Sequence, residues 1–349
     1  MKDLQVSSIT KALAFLFVAA FTISVGPTSG QAREPYDLQI FTVEKSGADL
    51  NTEELALQAA INKKSSWLRA SIVEGRDPGY NLMNIIRNPT LRRSAMINLP
   101  QPVHWEGMKG FPIFRGLTYD FSRIRYLFPE GVYFNAMISL DPKINTFHGL
   151  MDKRVAVGRL PSEDSLLSLF YDALGCHCVT RKFMSFADSH RALKDRHLDG
   201  IMTEGRLVAP PSDWDLAPSG KEIVNNQNTL FLSWVSETLE KIRRGNSIPY
   251  YSISIPQGTF RRQEKPWIVV TKVTFWAVTP EMPDEVVAEI VRAVYEYVKA
   301  FGDPRSRERW IPEDILGLMG TDQELYHPVA IRFFEEKRMP ISGFKLRPK

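Results

Sequence analysis

The stretch Tyr250–Val278 constrains the fold most. Two apolar extended runs, Ile253–Ile255 and Trp267–Val278, lie on either side of a turn at Pro256–Gly258, after two series of strand–helix units and before two closing helices. Runs of β-branched and aromatic residues without alternation read as strands buried on both faces. Strands placed so late have to return to a sheet begun much earlier, so the chain leaves one lobe and comes back to it.

The first series reads as a strand at Tyr36–Val43, a helix at Thr52–Ile61 with Glu53 and Glu54 in its first turn, a strand at Trp67–Val73, a polar loop, a helix from Asn81 to Ile86 and a strand at Ala95–Leu99. Pro100–Tyr119 takes no assignment, and Arg123–Phe128 and Val132–Leu140 read as separate extended connections. The second series starts at Leu150. It has a strand at Arg154–Val157, a helix capped by Ser162 and closed by Gly175, a short helix at Asp188–Lys194, a strand at His197–Thr203 with Glu204-Gly205-Arg206 as its terminal loop, an extended segment at Glu222–Phe231 and a helix at Ser233–Arg243. Helices at Pro283–Phe301 and Asp322–Lys337 close the chain, the first with Val286, Ile290, Ala293, Val294 and Val298 at helical spacing. The predicted class is α/β: a clamshell of two α/β lobes joined by crossing strands.

Lys2 and Lys11 flank the start of an uncharged stretch, Ala12–Val25, that runs into Gly26-Pro27 and small residues. It is shorter than the ~20 residues needed to span a bilayer, and its layout predicts a secretory signal over residues 1–32, cleaved near Ala32 in an exported, periplasmic protein. Lobe 1 is expected over 33–140 plus 264–349 and lobe 2 over 141–263. Lys and Arg total 44 against 40 Asp and Glu, a formal charge of +4, without a basic stripe for nucleic acid. The two cysteines, in Cys176-His177-Cys178, cannot form a disulfide framework and are poorly spaced as metal ligands, so neither a metal nor a cofactor is expected. Gly-x-Ser-x-Gly and His-Glu-x-x-His are absent and the six histidines are scattered, which argues against an enzyme.

Four motifs occur in order: Leu-x-Asp-Lys-Arg-Val-Ala-Val-Gly at 150–158, Ile-Pro-Gln-Gly-Thr-Phe at 255–260, Met-Pro-Asp-Glu-Val-Val at 282–287 and Leu-Tyr-His-Pro-Val-Ala-Ile-Arg-Phe-Phe at 325–334. Together they resemble the TAXI family of solute-binding proteins, the extracytoplasmic receptors of tripartite ATP-independent periplasmic (TRAP) transporters. The N-terminal half departs from that pattern, with Val43-Glu44-Lys45-Ser46-Gly47 where the family carries a Gly-rich loop. The resemblance implies a periplasmic binding protein type II-like clamshell that captures a small solute, often a carboxylate, and hands it to the membrane subunits of a TRAP transporter; the chain is expected to be a monomer.

On this reading lobe 1 offers Glu44, Ser46, Glu74, Tyr80 and Asn81, and lobe 2 offers Arg159, Ser162, Glu204 and Arg206, all at the C-terminal ends of predicted strands. Arg159 beside the Ser162 helix start suits a carboxylate, though it also fits a surface pair with Glu163 or Asp164. Glu74 reads either as a solvated carboxylate or as a partner for an amino group, a hydroxyl or a cation. Tyr80 either stacks on a ligand or packs on its lobe. Trp67, Trp105 and Trp214 raise an aromatic solute as an alternative, with His104-Trp105-Glu106 the segment to inspect, and the same clamshell also suits a sensor that reports to a signalling partner. His327-Pro328 is expected to fix a loop before the last helix.

Overall fold

The computed structural model describes residues 33–42, 52–157, 161–175, 180–209, 213–246, 248–299 and 323–338. The expected signal segment, the loop after the first strand and the Cys-His-Cys segment lie outside them. From Pro35 onward the chain forms one compact unit.

The first parallel set is β1 (Tyr36–Phe41), β2 (Leu68–Val73) and β3 (Ala95–Pro100), with β1 in the middle. Helix α1 (Thr52–Lys64) turns Leu57, Ala60 and Ile61 into the core beneath it. Helix α2 starts earlier than the sequence reading placed it, at Pro78, and runs to Arg87. Asp77 caps it by accepting from the Tyr80 amide at 2.9 Å, and Pro78 needs no partner for the amide it lacks. Asn88 ends α2 and caps the short α3 (Pro89–Ser94) by accepting from the Thr90 and Leu91 amides. The unassigned passage contains α4 (Gln101–Met108), buried from Gln101 to Gly107.

The two extended connections expected around residue 130 are one strand, β4 (Arg125–Ser139). Pro129-Glu130-Gly131 looks like a break, but it is a bulge: Thr274 pairs with Gly131 and Phe275 with Pro129, so Glu130 is the extra residue. The second parallel set is β5 (Arg154–Val157), β6 (Thr180–Phe183) and β7 (Gly200–Ala209), with β5 in the middle and α5 (Pro161–Ala173) and α6 (Phe186–Lys194) in its connections. β7 continues through Glu204-Gly205-Arg206, which sequence reading took for a loop. Ladders to β4 and to β8 (Asp213–Leu216) occupy both of its edges there. Phe134 lies over Gly205, where a Cβ would come within 2.2 Å of the ring and 2.4 Å of the Asp215 carbonyl. The expected extended segment at Glu222–Phe231 is instead α7 (Pro218–Asn226), opened by Pro218, followed by β9 (Leu230–Leu232). After α8 (Ser236–Asn246) come β10 (Tyr251–Ile255) and β11 (Trp267–Val278), an antiparallel pair as expected, then α9 (Asp284–Lys299) and α10 (Pro328–Glu336).

Among the described residues these strands form one sheet in the order β2-β1-β3-β11-β4-β7-β5-β6, with β8, β9 and β10 joined to β7, β4 and β11. The antiparallel pair β11–β4 sits between the two parallel sets. α9 packs against α1, α10 and β4 and buries Val286, Val287, Ile290, Val291 and Val294, and full burial of each such side chain contributes ~1.5–3 kcal/mol. His327 caps α10 by accepting from the Val329 amide at 3.3 Å, and its own amide donates to the Tyr126 carbonyl at 2.8 Å, which fastens the helix to the start of β4. The tryptophans singled out in the sequence serve packing. Trp105 and Trp214 are buried, Trp214 edge-on to Phe134, and Trp67 packs on the core. His104 is enclosed as well: its Nε2–H donates to the Phe121 carbonyl at 2.7 Å, so its Nδ1 accepts from the Tyr126 hydroxyl at 2.6 Å, and burial pushes its pKa down to about 4.

Candidate binding site on the crossing strands

β4 and β11 change neighbours at the same place. Along β11, residues 267–271 pair with β10 and residues 274–277 with β3. Along β4, pairing with β7 begins at Tyr133, two residues beyond Gly131, the partner of Thr274. The C-terminal end of β3 therefore meets the crossing pair beside Thr274, and β7 runs C-terminally toward Tyr133. Both parallel sets deliver their strand ends to one short stretch, Glu130–Asn135 with Val270–Thr274, and ligands of open α/β sheets bind outside such ends.

That stretch is polar on one face. Tyr133, Lys272 and Arg206 stand opposite one another in register, as do Asn135, Val270 and Glu204, and directly paired residues share a face. The Lys272 ammonium donates to Glu204 Oε1 at 2.9 Å with its side chain 5% exposed. The Tyr133 hydroxyl donates to Glu130 Oε1, and Asn98 of β3 also hydrogen-bonds the Glu130 carboxyl. Burial raises the Glu130 pKa to about 7, opposed by those two hydrogen bonds and by Lys272 and reinforced by Glu204. Burial also holds the Tyr133 hydroxyl well above its usual value, with Glu130 adding to the effect. Glu54, in the first turn of α1, reaches the same cluster. Its residue is 2% exposed, and burial raises its pKa to about 8, its own backbone amide opposing and Glu130 adding to the shift.

Of the residues expected from sequence, Glu44, Ser46 and Arg159 lie outside the described residues. Ser162 is not the cap: α5 begins at Pro161, so Ser162 sits within its first turn. Glu204 and Arg206 belong to the body of β7 and face the polar stretch, whereas Glu74 is exposed just beyond β2. Tyr80 is an exposed residue of the α2 first turn, with the Arg76 guanidinium 4.5 Å from its ring centre. Asn81 is buried and positions two loops, its Nδ2 donating to the Thr42 carbonyl at 2.8 Å and its Oδ1 accepting from the Arg76 amide at 2.8 Å. Gly75 fits beneath it because a Cβ there would lie 2.1 Å from the Thr42 carbonyl oxygen. Asn81→Ala leaves both backbone groups unmatched and is expected to cost ~2–3 kcal/mol in urea unfolding. A loss under ~0.5 kcal/mol would show that the loops hold without this clamp.

Sequence reading passed over Glu54, Glu130, Tyr133, Asn135 and Lys272. Lys272 carried the clearest signal as the single charge inside the apolar run Trp267–Val278. A cavity of about 390 Å³ lies apart from this site, between β6 and α6, lined by Phe183, Asp188, Arg191 and His197 among others. It includes none of the site residues, and the convergence of strand ends makes the crossing strands the stronger candidate. Among the described residues no group of His, Cys, Asp and Glu is arranged to hold a metal, and no helix is long and apolar enough to cross a membrane.

The architecture, a mixed α/β sheet with an antiparallel pair between two parallel sets, is that of periplasmic binding protein-like structures. MatC (Rpa3494) from Rhodopseudomonas palustris, solved with bound malate, is similar over 87% of this chain and 96% of its own at a TM-score of 0.50 and 12% identity. A TctC solute binding protein from Polaromonas is similar over 90% and 91%, at 0.44 and 14%. A histidine kinase sensor domain with similarity to periplasmic binding proteins is similar over 76% and 92%, at 0.40 and 11%. No curated protein matches the chain. The chain belongs to the NMT1-like family, whose profile matches residues 57–337.

Proposed function

We propose that this protein is an extracytoplasmic solute receptor that closes two lobes, 33–140 with 264–349 and 141–263, around a small solute. It is exported by a signal segment cleaved near Ala32, works as a monomer without chemical conversion, and delivers its solute to the membrane subunits of a TRAP transporter as a TAXI-type protein. The observation that carries this reading is the shared point at which β4 and β11 exchange neighbours, since it brings strand ends from both halves to one polar stretch. A ligand shifts a two-state equilibrium only by its differential affinity, so contacts have to come from both halves. Glu204 and Arg206 supply them from β7, Tyr133 and Lys272 from the crossing pair, and Glu74 and Tyr80 from the rim after β2. A carboxylate is the proposed anionic part of the solute. It would be held by Arg159 and the first turn of α5, the helix next in the chain after β5.

Thermal unfolding with a panel of carboxylates, amino acids and aromatic acids tests the reading. A true solute at ~100 times its Kd adds about 2.7 kcal/mol of stability. A melting temperature unmoved by the whole panel would refute the carboxylate reading, and mass spectrometry of what the denatured protein releases then identifies whatever solute it does hold.

A further inference from the structure

We propose that Glu54 and Glu130 form an ammonium-recognition site, so that the solute of this receptor carries a protonated amine. The inference rests on the receptor reading and names the chemistry of one end of its ligand.

Two carboxyl oxygens carry it. Glu54 Oε2 and Glu130 Oε2 are buried, and among the described residues neither has a hydrogen-bond partner. Their residues are 2% and 7% exposed, so bulk solvent does not reach them. Buried acceptors are nearly always matched, and each exception calls for a reason. Of the buried side-chain atoms left unmatched among the described residues, these two carboxyl oxygens fall in one cluster and come from different elements, one from the first turn of a helix and the other from a bulge. The Glu130 bulge removes that residue from the strand ladder and re-aims its side chain, a device common beside binding sites. The other Glu130 oxygen is already engaged by the Tyr133 hydroxyl.

Charge points the same way. Glu54, Glu130 and Glu204 interact with one another through space in a chain, while Lys272 pairs with Glu204. The cluster therefore holds three carboxyl groups against the Lys272 ammonium and the Arg206 guanidinium. A positive donor between Glu54 and Glu130 would satisfy both oxygens as their carboxyls ionise. A primary ammonium fits because it offers three donors on one point charge. A metal ion fits poorly, since no group of His, Cys, Asp and Glu among the described residues has metal-binding spacing.

Binding would be measured by calorimetry on the purified full chain near pH 6.5. One series would be primary aliphatic amines and 2-amino acids; the other, amine-free acids of matched length. The expected result is that amine-bearing compounds bind at least tenfold tighter than their amine-free counterparts. Glu54→Gln and Glu130→Gln should each weaken them at least tenfold while leaving the protein folded. Binding should also release protons, seen as a heat that varies with the ionisation enthalpy of the buffer, because both carboxyls must ionise to meet an ammonium. That readout needs no variant. Equal binding of amine-free acids, or amine binding without proton release, would overturn the ammonium site and leave the receptor reading standing. Failure of both series to bind would overturn both.

Discussion

Replacing Lys272 with methionine is expected to destabilise the protein by about 3–5 kcal/mol, because it removes one partner of a buried ion pair and leaves the other without its counter-charge. Lys272 and Glu204 are in contact at 2.9 Å, with side chains 5% and 19% exposed, so solvent cannot replace the lost ammonium. The change also withdraws the positive charge that lowers the Glu130 pKa, which drives that carboxyl further toward its protonated form. Methionine keeps most of the stem volume and so separates the charge effect from a cavity effect. Urea unfolding should show a lower midpoint at an unchanged slope. Glu204→Gln should cost less, since Glu204 is the more exposed partner and glutamine can still accept from Lys272. The double variant Lys272→Met with Glu204→Leu should be more stable than the sum of single losses implies. A loss below ~1 kcal/mol for Lys272→Met would mean that the pair is solvated in solution and that the polar stretch is open to water.

The elements were legible wherever local pattern and burial agree. β1, β2, β3, β5 and β11 are apolar runs bounded by turns, and α9 displays its core-facing stripe openly. Reading failed where a distant partner decides the matter. Pro129-Glu130-Gly131 and Glu204-Gly205-Arg206 both have the composition of loops, yet both lie within strands because β11 supplies ladder partners for the first, and β4 and β8 for the second, from more than sixty or from fewer than a dozen residues away. Glu204 and Arg206 have the setting of loop residues in the sequence and stand instead within β7 on the polar face, and Glu130 lies inside an apparent break that is a bulge of β4. Asn81 is expected from the sequence to contact the ligand, and in the structure its side chain clamps the backbone of Thr42 and Arg76. Lys272 and Glu54 could have been found by asking what neutralises a charge in an apolar strand, or what a helix start does when it is buried.

The second large effect is a fall in stability on the alkaline side. Glu54 has its pKa raised from 4.5 to about 8 and Glu130 from 4.5 to about 7, in both cases chiefly by burial. The folded state therefore keeps two protons that the unfolded chain gives up above pH 4.5, and stability is lost as pH rises through the folded values. Between pH 6.5 and 8 the loss amounts to about 2–3 kcal/mol, at ~1.4 kcal/mol per proton per pH unit. His104 acts in the opposite direction. Its pKa is lowered from 6.5 to about 4 by burial, so its contribution is complete above pH 6.5 and is lost as pH falls toward 4. His190 and His327, also lowered by burial, add to that acid-side loss. Between pH 4.5 and 6.5 the carboxyl and histidine trends oppose each other, and above pH 6.5 the carboxyl loss is unopposed, so melting temperature should decline from pH 6.5 to 8. Glu54→Gln with Glu130→Gln should flatten this alkaline limb and leave the histidine-driven loss below pH 6.5 as the remaining trend, since the amides keep the shape of the cluster and remove its titration. An ammonium-bearing solute should restore the alkaline limb of the unaltered protein, because ionised carboxylates that are unfavourable when buried alone become favourable once paired. A wild-type melting temperature that stays level from pH 6.5 to 8.5 without solute would mean that both carboxyls are ionised at neutral pH, and the charge argument for the site would lose its basis.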